Sequence, residues 1–290
     1  MTTPATVLFH LSDIHFGLED SAALAWVERC IVEEKPTAVC ITGDLTMRAR
    51  HREFAAACRW ISALGPPVTV EVGNHDMPYF NLLERFIDPY RRFRSIQTLL
   101  EKQLDLPGVA IVPLKTVTRA QWRFPWSNGW VTRAALRETL AAIDALPAGT
   151  RALVTAHHPL TERDPYGKRL TINGEATMAE LARRNVLAIL TGHVHDAIDI
   201  DQPTPAGNLR MIGAGTLSKR IRSSPPSFNQ LTITETGIGA DIAVTVRNLE
   251  AVPTAAMQIG QVPENALPPR ESGDPVAPVG TIPTWDPPVH

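Results

Sequence analysis

Short apolar runs rich in β-branched residues recur along the chain at Val7–Leu11, Ala38–Thr42, Val68–Val72, Ala152–Ala156 and Val186–Thr191, each bounded by polar or glycine residues. Runs this short cannot present a buried helical stripe, so they predict buried strands. Between them the spacing of apolar residues changes. Leu24, Val27 and Ile31 fall on one face of a helix predicted over Ser21–Glu34, and Phe54, Cys58 and Ile61 do the same over Arg52–Leu64. A third helix is predicted over Leu136–Leu146, with Thr132 placed to cap its start, and a shorter one over Gly174–Arg184. Strand and helix alternate, so the predicted fold class is α/β.

Three stretches break the rhythm. Residues 77–107 carry a mostly helical segment, Phe86–Leu104, and Arg163–Ile172 follows the fourth strand run without periodicity. Beyond residue 250 nine of the last 40 residues are proline and aromatic residues are few. Such a segment cannot bury enough apolar surface to fold alone. The predicted organisation is therefore one domain over 1–250 and a proline-rich, extended or disordered tail over 251–290.

Metal-capable side chains sit just past the ends of the strand runs: Asp13 and His15, Asp44, Asn74 and His75, His157, then His193 and His195. In open α/β sheets the loops at that edge converge on one crevice. Gly43, Gly73 and Gly192 directly precede the key residues and allow the backbone to turn off the strand. Carboxylate, imidazole and amide oxygen without thiolate suit Fe, Mn, Zn or Co and exclude a cysteine-based zinc finger. If two ions are to sit roughly 3.5–4 Å apart, one carboxylate must bridge them. Asp44, the only ligand in its block, is the candidate bridge.

Read as D-I-H, G-D-L-T, G-N-H-D, H-H-P and G-H-V-H, these blocks resemble the calcineurin-like metallophosphoesterase superfamily, in detail its bacterial class III cyclic-nucleotide phosphodiesterase branch. The resemblance runs from Asp13 to His195 and continues to about residue 247 through Gly213–Thr216 and Ser227–Asn229. It implies a four-layer α/β/β/α sandwich with two facing mixed sheets. It also implies that Asp13, His15 and His195 hold one ion and Asn74, His157 and His193 a second, with Asp44 and a water or hydroxide shared between two divalent or trivalent ions. His75 would face the leaving group as general acid, and Asp76 would orient its ring.

The implied reaction is hydrolysis of a phosphodiester by the bridging hydroxide, with a 3′,5′-cyclic nucleotide as leading substrate. A bell-shaped pH profile follows if His75 must be protonated while the water is deprotonated. A broad phosphodiesterase acting on glycerophosphodiesters or other small diesters is the alternative. A DNA exonuclease and a non-catalytic scaffold rank lower: the chain shows no basic stripe, and every ligand is present.

The remaining residues refine this picture. Net charge is −2, which gives no global reason for a nucleic-acid or membrane partner. The basic clusters Arg91–Arg94 and Lys219–Arg222 read as solvated surface that could still meet a phosphate. Cys30, Cys40 and Cys58 match no zinc or redox spacing and read as small core residues. His10 reads as a core histidine, His51 as exposed, and His158 as structural, pointing away from His157 on strand alternation. With no signal-like segment before Val7 and no membrane-length apolar run, a cytoplasmic protein is expected; the family often forms homodimers. The insertion at 77–107 and the segment 163–172 are expected at the rim of the site. Truncation after Glu250 should leave metal binding and the thermal midpoint unchanged; loss of either would contradict the predicted boundary.

Overall fold

The computed structural model describes residues 6–78, 81–100, 104, 106–119, 127–160, 171–236 and 239–250. The proline-rich tail and most of Arg163–Ile172 lie outside the described residues. The first half runs β1 (Thr6–Leu11), α1 (Ser21–Glu34), β2 (Ala38–Ile41), α2 (His51–Ala63), β3 (Val68–Val70), α3 (Leu82–Ile87), α4 (Arg91–Leu100), β4 (Val109–Pro113) and β5 (Gly129–Trp130). It continues α5 (Arg133–Asp144), β6 (Arg151–Thr155), β7 (Thr171–Ile172), α6 (Gly174–Ala182), β8 (Val186–Thr191), β9 (Ile198–Thr204), β10 (Gly207–Gly213), β11 (Ser227–Thr236) and β12 (Gly239–Asn248).

The strands form two five-stranded sheets, ordered β12-β11-β1-β2-β3 and β4-β6-β8-β10-β9, with β5 and β7 as a separate pair. Within the first, β1, β2 and β3 are parallel while β11 runs antiparallel to both of its neighbours, β1 and β12. In the second, β4, β6, β8 and β10 are parallel and β9 is antiparallel. Both sheets are mixed, as expected.

Side-chain alternation along each strand builds the layers. In β1, Leu8 faces the core between the sheets while Phe9 and Leu11 pack outward with α1 and α2. Cys40 and Val39 divide the same way in β2. In the second sheet Leu153, Ala188 and Leu190 face inward, whereas Val154 and Ile189 pack outward with the core that includes Met178 and Leu181 of α6. The order is helices, sheet, sheet, helices.

Helix boundaries follow capping chemistry. The Asp20 carboxylate accepts the N–H groups of Ala22 and Ala23 at 2.9 and 3.2 Å, opening α1. Thr132 caps α5 by accepting from Ala135 N–H at 3.1 Å. The helical stretch expected over Phe86–Leu104 is instead two helices, α3 and α4. Pro89 lies in the break, lacks an N–H, and disfavours helical backbone at Asp88, which has φ −149° and ψ 76°. Phe93 and Ile96 of α4 are buried beside α2, so α4 extends the outer helical layer. Leu82, Leu83, Phe86 and Ile87 of α3 are exposed. Arg91 and Arg92 pair with Glu84, and Arg94 with Asp88, so this basic cluster is engaged in ion pairs.

Cys30 and Cys40 are buried as expected, while Cys58 is only half-buried; all three are free thiols. Among the described residues no helix is long and apolar enough to cross a membrane.

Leu153 is fully buried between the sheets, whereas Leu83 is 71% exposed. Leu153→Ala is expected to destabilise the fold by about 2–5 kcal/mol, and Leu83→Ala by less than about 0.5 kcal/mol. Urea unfolding midpoints of the two variants check this.

Candidate metal centre

All seven sequence-predicted ligands converge at the ends of five strands, three from the first sheet and two from the second. Asp13 and His15 follow β1, Asp44 follows β2, and Asn74, His75 and Asp76 form a single 3₁₀ turn after β3. From the second sheet come His157 after β6 and His193 and His195 after β8. The backbone there is tightly turned: Asp13, His15, Asp44, His193 and His195 have φ of 52°, 51°, 52°, 71° and 68°. Left-handed backbone costs a residue with a β-carbon about 1–2 kcal/mol. Cross-loop hydrogen bonds hold it, with Asp13 N–H on Gly43 O at 3.1 Å and His15 N–H on Asp44 O at 2.9 Å. Gly73 and Gly192 permit close approach, since a β-carbon would collide with Asp44 in the first case and with Ser12 Oγ in the second.

Several lone pairs are left converging. Asp13 Oδ2 accepts from Ser12 Oγ and from His193 N–H, both at 2.7 Å. Its Oδ1 is buried without a hydrogen-bond partner among the described residues. That oxygen lies 3.1 Å from His195 Nε2 and 3.7 Å from His15 Nε2. His195 Nδ1–H donates to Arg220 O at 2.7 Å, so its Nε2 is the nitrogen left to face Asp13 and His15.

The second group is built alike. His157 Nδ1–H donates to Thr42 O at 2.8 Å, directing Nε2 toward Asn74 Oδ1 at 3.1 Å. His193 Nδ1 meets the same Asn74 oxygen at 3.1 Å. Asp44 Oδ1 accepts His75 N–H at 2.8 Å. Its Oδ2 lies 3.7 Å from His15 Nε2 and 3.5 Å from His157 Nε2, between the two groups.

Electrostatics favour positive charge here. Burial opposes ionisation of Asp13, but the His195 imidazole holds its carboxyl well below the usual range. For Asp44 burial is likewise overcome, by His157 and His15. Burial works against a charged His157, yet the Asp44 carboxylate lifts it to about 9. By contrast, burial pushes His15 down to about 4 and, with His157 beside it, His193 to about 3. A proton on His157 thus offsets part of the anionic charge that a cation would offset more fully. The orphaned Asp13 oxygen and the oxygen and imidazole donors around it fit transition-metal cations.

Two expectations need correction. Asp76 does not orient His75. Its carboxylate accepts Gly73 N–H at 2.9 Å, Thr46 N–H at 2.8 Å, Thr46 Oγ at 2.9 Å and Leu45 N–H at 3.2 Å, tying the β2 and β3 loops together. The His75 ring is held instead by Met47 O, 2.8 Å from Nδ1. His158 does not point away from His157, because β6 ends at Thr155 and strand alternation stops there. The two rings touch edge to face with centroids 4.7 Å apart. His158 is structural all the same: Nε2–H donates to Ser127 O at 2.8 Å, and Nδ1 meets Thr116 Oγ at 2.9 Å. Burial keeps it neutral. His10 is a core histidine bonded to Thr42 Oγ at 3.0 Å, and His51 is exposed at the start of α2.

One residue of the site was not singled out by sequence reasoning. Arg220 places Nη1 3.1 Å from His75 Nε2 and 3.3 Å from His15 Nε2. Its only signal in the sequence is membership of the basic cluster Lys219–Arg222.

Fold and site together define a metal-dependent phosphoester-hydrolase architecture. The model of the calcineurin-like phosphoesterase family matches residues 6–197, and the chain belongs to that family. No curated protein sequence matches the chain. Among solved structures it is similar to a dimetal phosphatase from Danio rerio, at TM-score 0.58 and 14% identity over 83% of this chain and 99% of that one. It is also similar to a purple acid phosphatase from yellow lupin, at TM-score 0.60 and 12% identity over 85% of this chain and 52% of that one. A third is GAP50, described as the anchor in the inner membrane complex of Plasmodium, at TM-score 0.53 and 12% identity over 86% and 89%. These likenesses are of fold.

Manganese titration should raise the thermal midpoint, since a ligand at 100 times its Kd stabilises by about 2.7 kcal/mol. Asp44→Asn should lose most of that rise; an equal rise in the variant would exclude Asp44 from metal binding.

Proposed function

We propose that this chain is a binuclear metal-dependent phosphodiesterase whose leading substrate is a 3′,5′-cyclic nucleotide. The observation that carries the two-ion reading is Asp44 Oδ2, set between His15 and His157 with the two ligand groups on either side. In this reading Asp13, His15 and His195 would hold one ion and Asn74, His157 and His193 the other, with Asp44 available to both. Bound there, the ions supply positive charge to the phosphoryl oxygens and acidify water.

The protein's own part is positioning and proton transfer. Thr42 O and Arg220 O fix the rings of His157 and His195 so that Nε2 faces inward. Met47 O does the same for His75, leaving its Nε2 beside His15, with ring centroids 4.8 Å apart. From there His75 gives a proton to the departing alkoxide oxygen, and Nε2 must carry that proton beforehand.

The diester preference rests on the resemblance of the motif set to the class III branch. A phosphomonoesterase is the second reading, favoured by the names of the zebrafish and lupin structures, both phosphatases. An anchoring role like that named for GAP50 does not require the full donor set found here.

Initial rates of manganese-reconstituted protein on cyclic AMP, cyclic GMP, bis(p-nitrophenyl) phosphate, a glycerophosphodiester and p-nitrophenyl phosphate separate these readings. Cyclic nucleotides should turn over fastest. Asn74→Ala should abolish the activity, and His75→Ala should lower kcat by roughly 10²–10⁴-fold with metal content unchanged. Preference for p-nitrophenyl phosphate would transfer the assignment to a monoesterase.

A further inference from the structure

Arg220 brings a guanidinium into the middle of a group of histidines, and its backbone is anchored from several sides. Thr216 Oγ donates to Asp13 O at 2.7 Å, and Ser218 Oγ accepts Arg220 N–H at 3.2 Å. Lys219 N–H bonds Leu18 O at 3.0 Å. Further along, the Asp196 carboxylate, directly after His195, accepts from Ser223 Oγ at 2.7 Å and Ser224 N–H at 3.1 Å. The loop therefore straddles the D-I-H and G-H-V-H blocks, and the inward course of the Arg220 side chain starts from a fixed backbone.

A guanidinium has N–H donors, no acceptor and a permanent charge. Here Nη1 meets two imidazole nitrogens, His75 Nε2 at 3.1 Å and His15 Nε2 at 3.3 Å. If His15 Nε2 is committed to an ion and His75 Nε2 carries its proton, the guanidinium loses both of these acceptors while further positive charge arrives nearby. An anion lying between them satisfies both, and the planar N–H fork matches phosphoryl oxygens.

We propose that Arg220 is a substrate-binding residue that donates hydrogen bonds to the non-bridging oxygens of the phosphoester and of the phosphate product. This rests on the metal-loaded phosphoester site proposed above. The side chain binds the anion, while the carbonyl of the same residue holds His195, so the two roles are separable by substitution.

The test uses full-length, metal-reconstituted wild type, Arg220→Ala and Arg220→Lys. Metal content is read by elemental analysis, affinity for inorganic phosphate by calorimetry, and KM and kcat with the best ester. Arg220→Ala should keep the wild-type metal content, because the His195 contact is a backbone carbonyl. It should bind phosphate roughly 10- to 100-fold more weakly and raise KM, the scale of a lost charged hydrogen bond. Arg220→Lys should recover part of the affinity. Unchanged phosphate affinity in Arg220→Ala would overturn the proposal, as would a loss that merely parallels loss of metal. Arg220-dependent phosphate binding without turnover of any diester would sink the phosphodiesterase reading and sustain this one. Diester turnover with phosphate affinity indifferent to Arg220 would do the reverse.

Discussion

Two carboxylates, Asp13 and Asp44, are buried at adjacent strand ends, with ligand atoms that lie, together with one from His157, within 4.8 Å of one another. Withdrawing two like charges from water is unfavourable unless each finds compensation nearby. Donors from Ser12, His193 N–H and His75 N–H satisfy one oxygen of each carboxylate. The other oxygen of each is left facing imidazoles. Histidines from both sheets surround the pair, and the strained backbone at Asp13, His15, Asp44, His193 and His195 aims them there.

The sandwich prepares this end of the molecule gradually. Along the inward faces, apolar residues give way to polar ones as the strands approach the site: Leu8 to His10 in β1, Cys40 to Thr42 past β2, Leu153 to Thr155 in β6, and Leu231 back to Asn229 in β11. These polar groups bond one another across strands and sheets, as His10 does with Thr42 and Thr155 with Glu71 at 2.7 Å. The ligand loops therefore stand on a rigid, hydrogen-bonded floor, which limits how far the ligands can drift apart.

Much of this was legible in the sequence because short strand runs and the donor blocks that follow them are local patterns. The five strand runs correspond to β1, β2, β3, β6 and β8 with small shifts at their ends, and α1 spans Ser21–Glu34 as predicted. Legibility failed where structure depends on partners distant in the chain. β9 offers no continuous apolar run and includes Pro203, so its strand signal is weak until it pairs with β10. Arg220 reaches His15 across 205 positions of sequence, a proximity that no local pattern encodes. The contact of His75 is a carbonyl oxygen, and backbone atoms leave no residue-specific trace. Asp76 looked like the partner of its neighbour because it was close in sequence, whereas its carboxylate is taken up by Leu45 and Thr46 in the loop after β2 and by Gly73 in its own.

The histidine rings at positions 157, 75 and 195 are each held by a main-chain oxygen, from Thr42, Met47 and Arg220. A carbonyl is present whatever side chain its residue carries. The orientation of these rings is thus set by the main chain at the three supporting positions, whatever side chains those positions carry. Replacing the side chain at 47 or 220 therefore leaves His75 and His195 turned inward, so a change in what position 220 binds need not unseat the ring that its carbonyl holds.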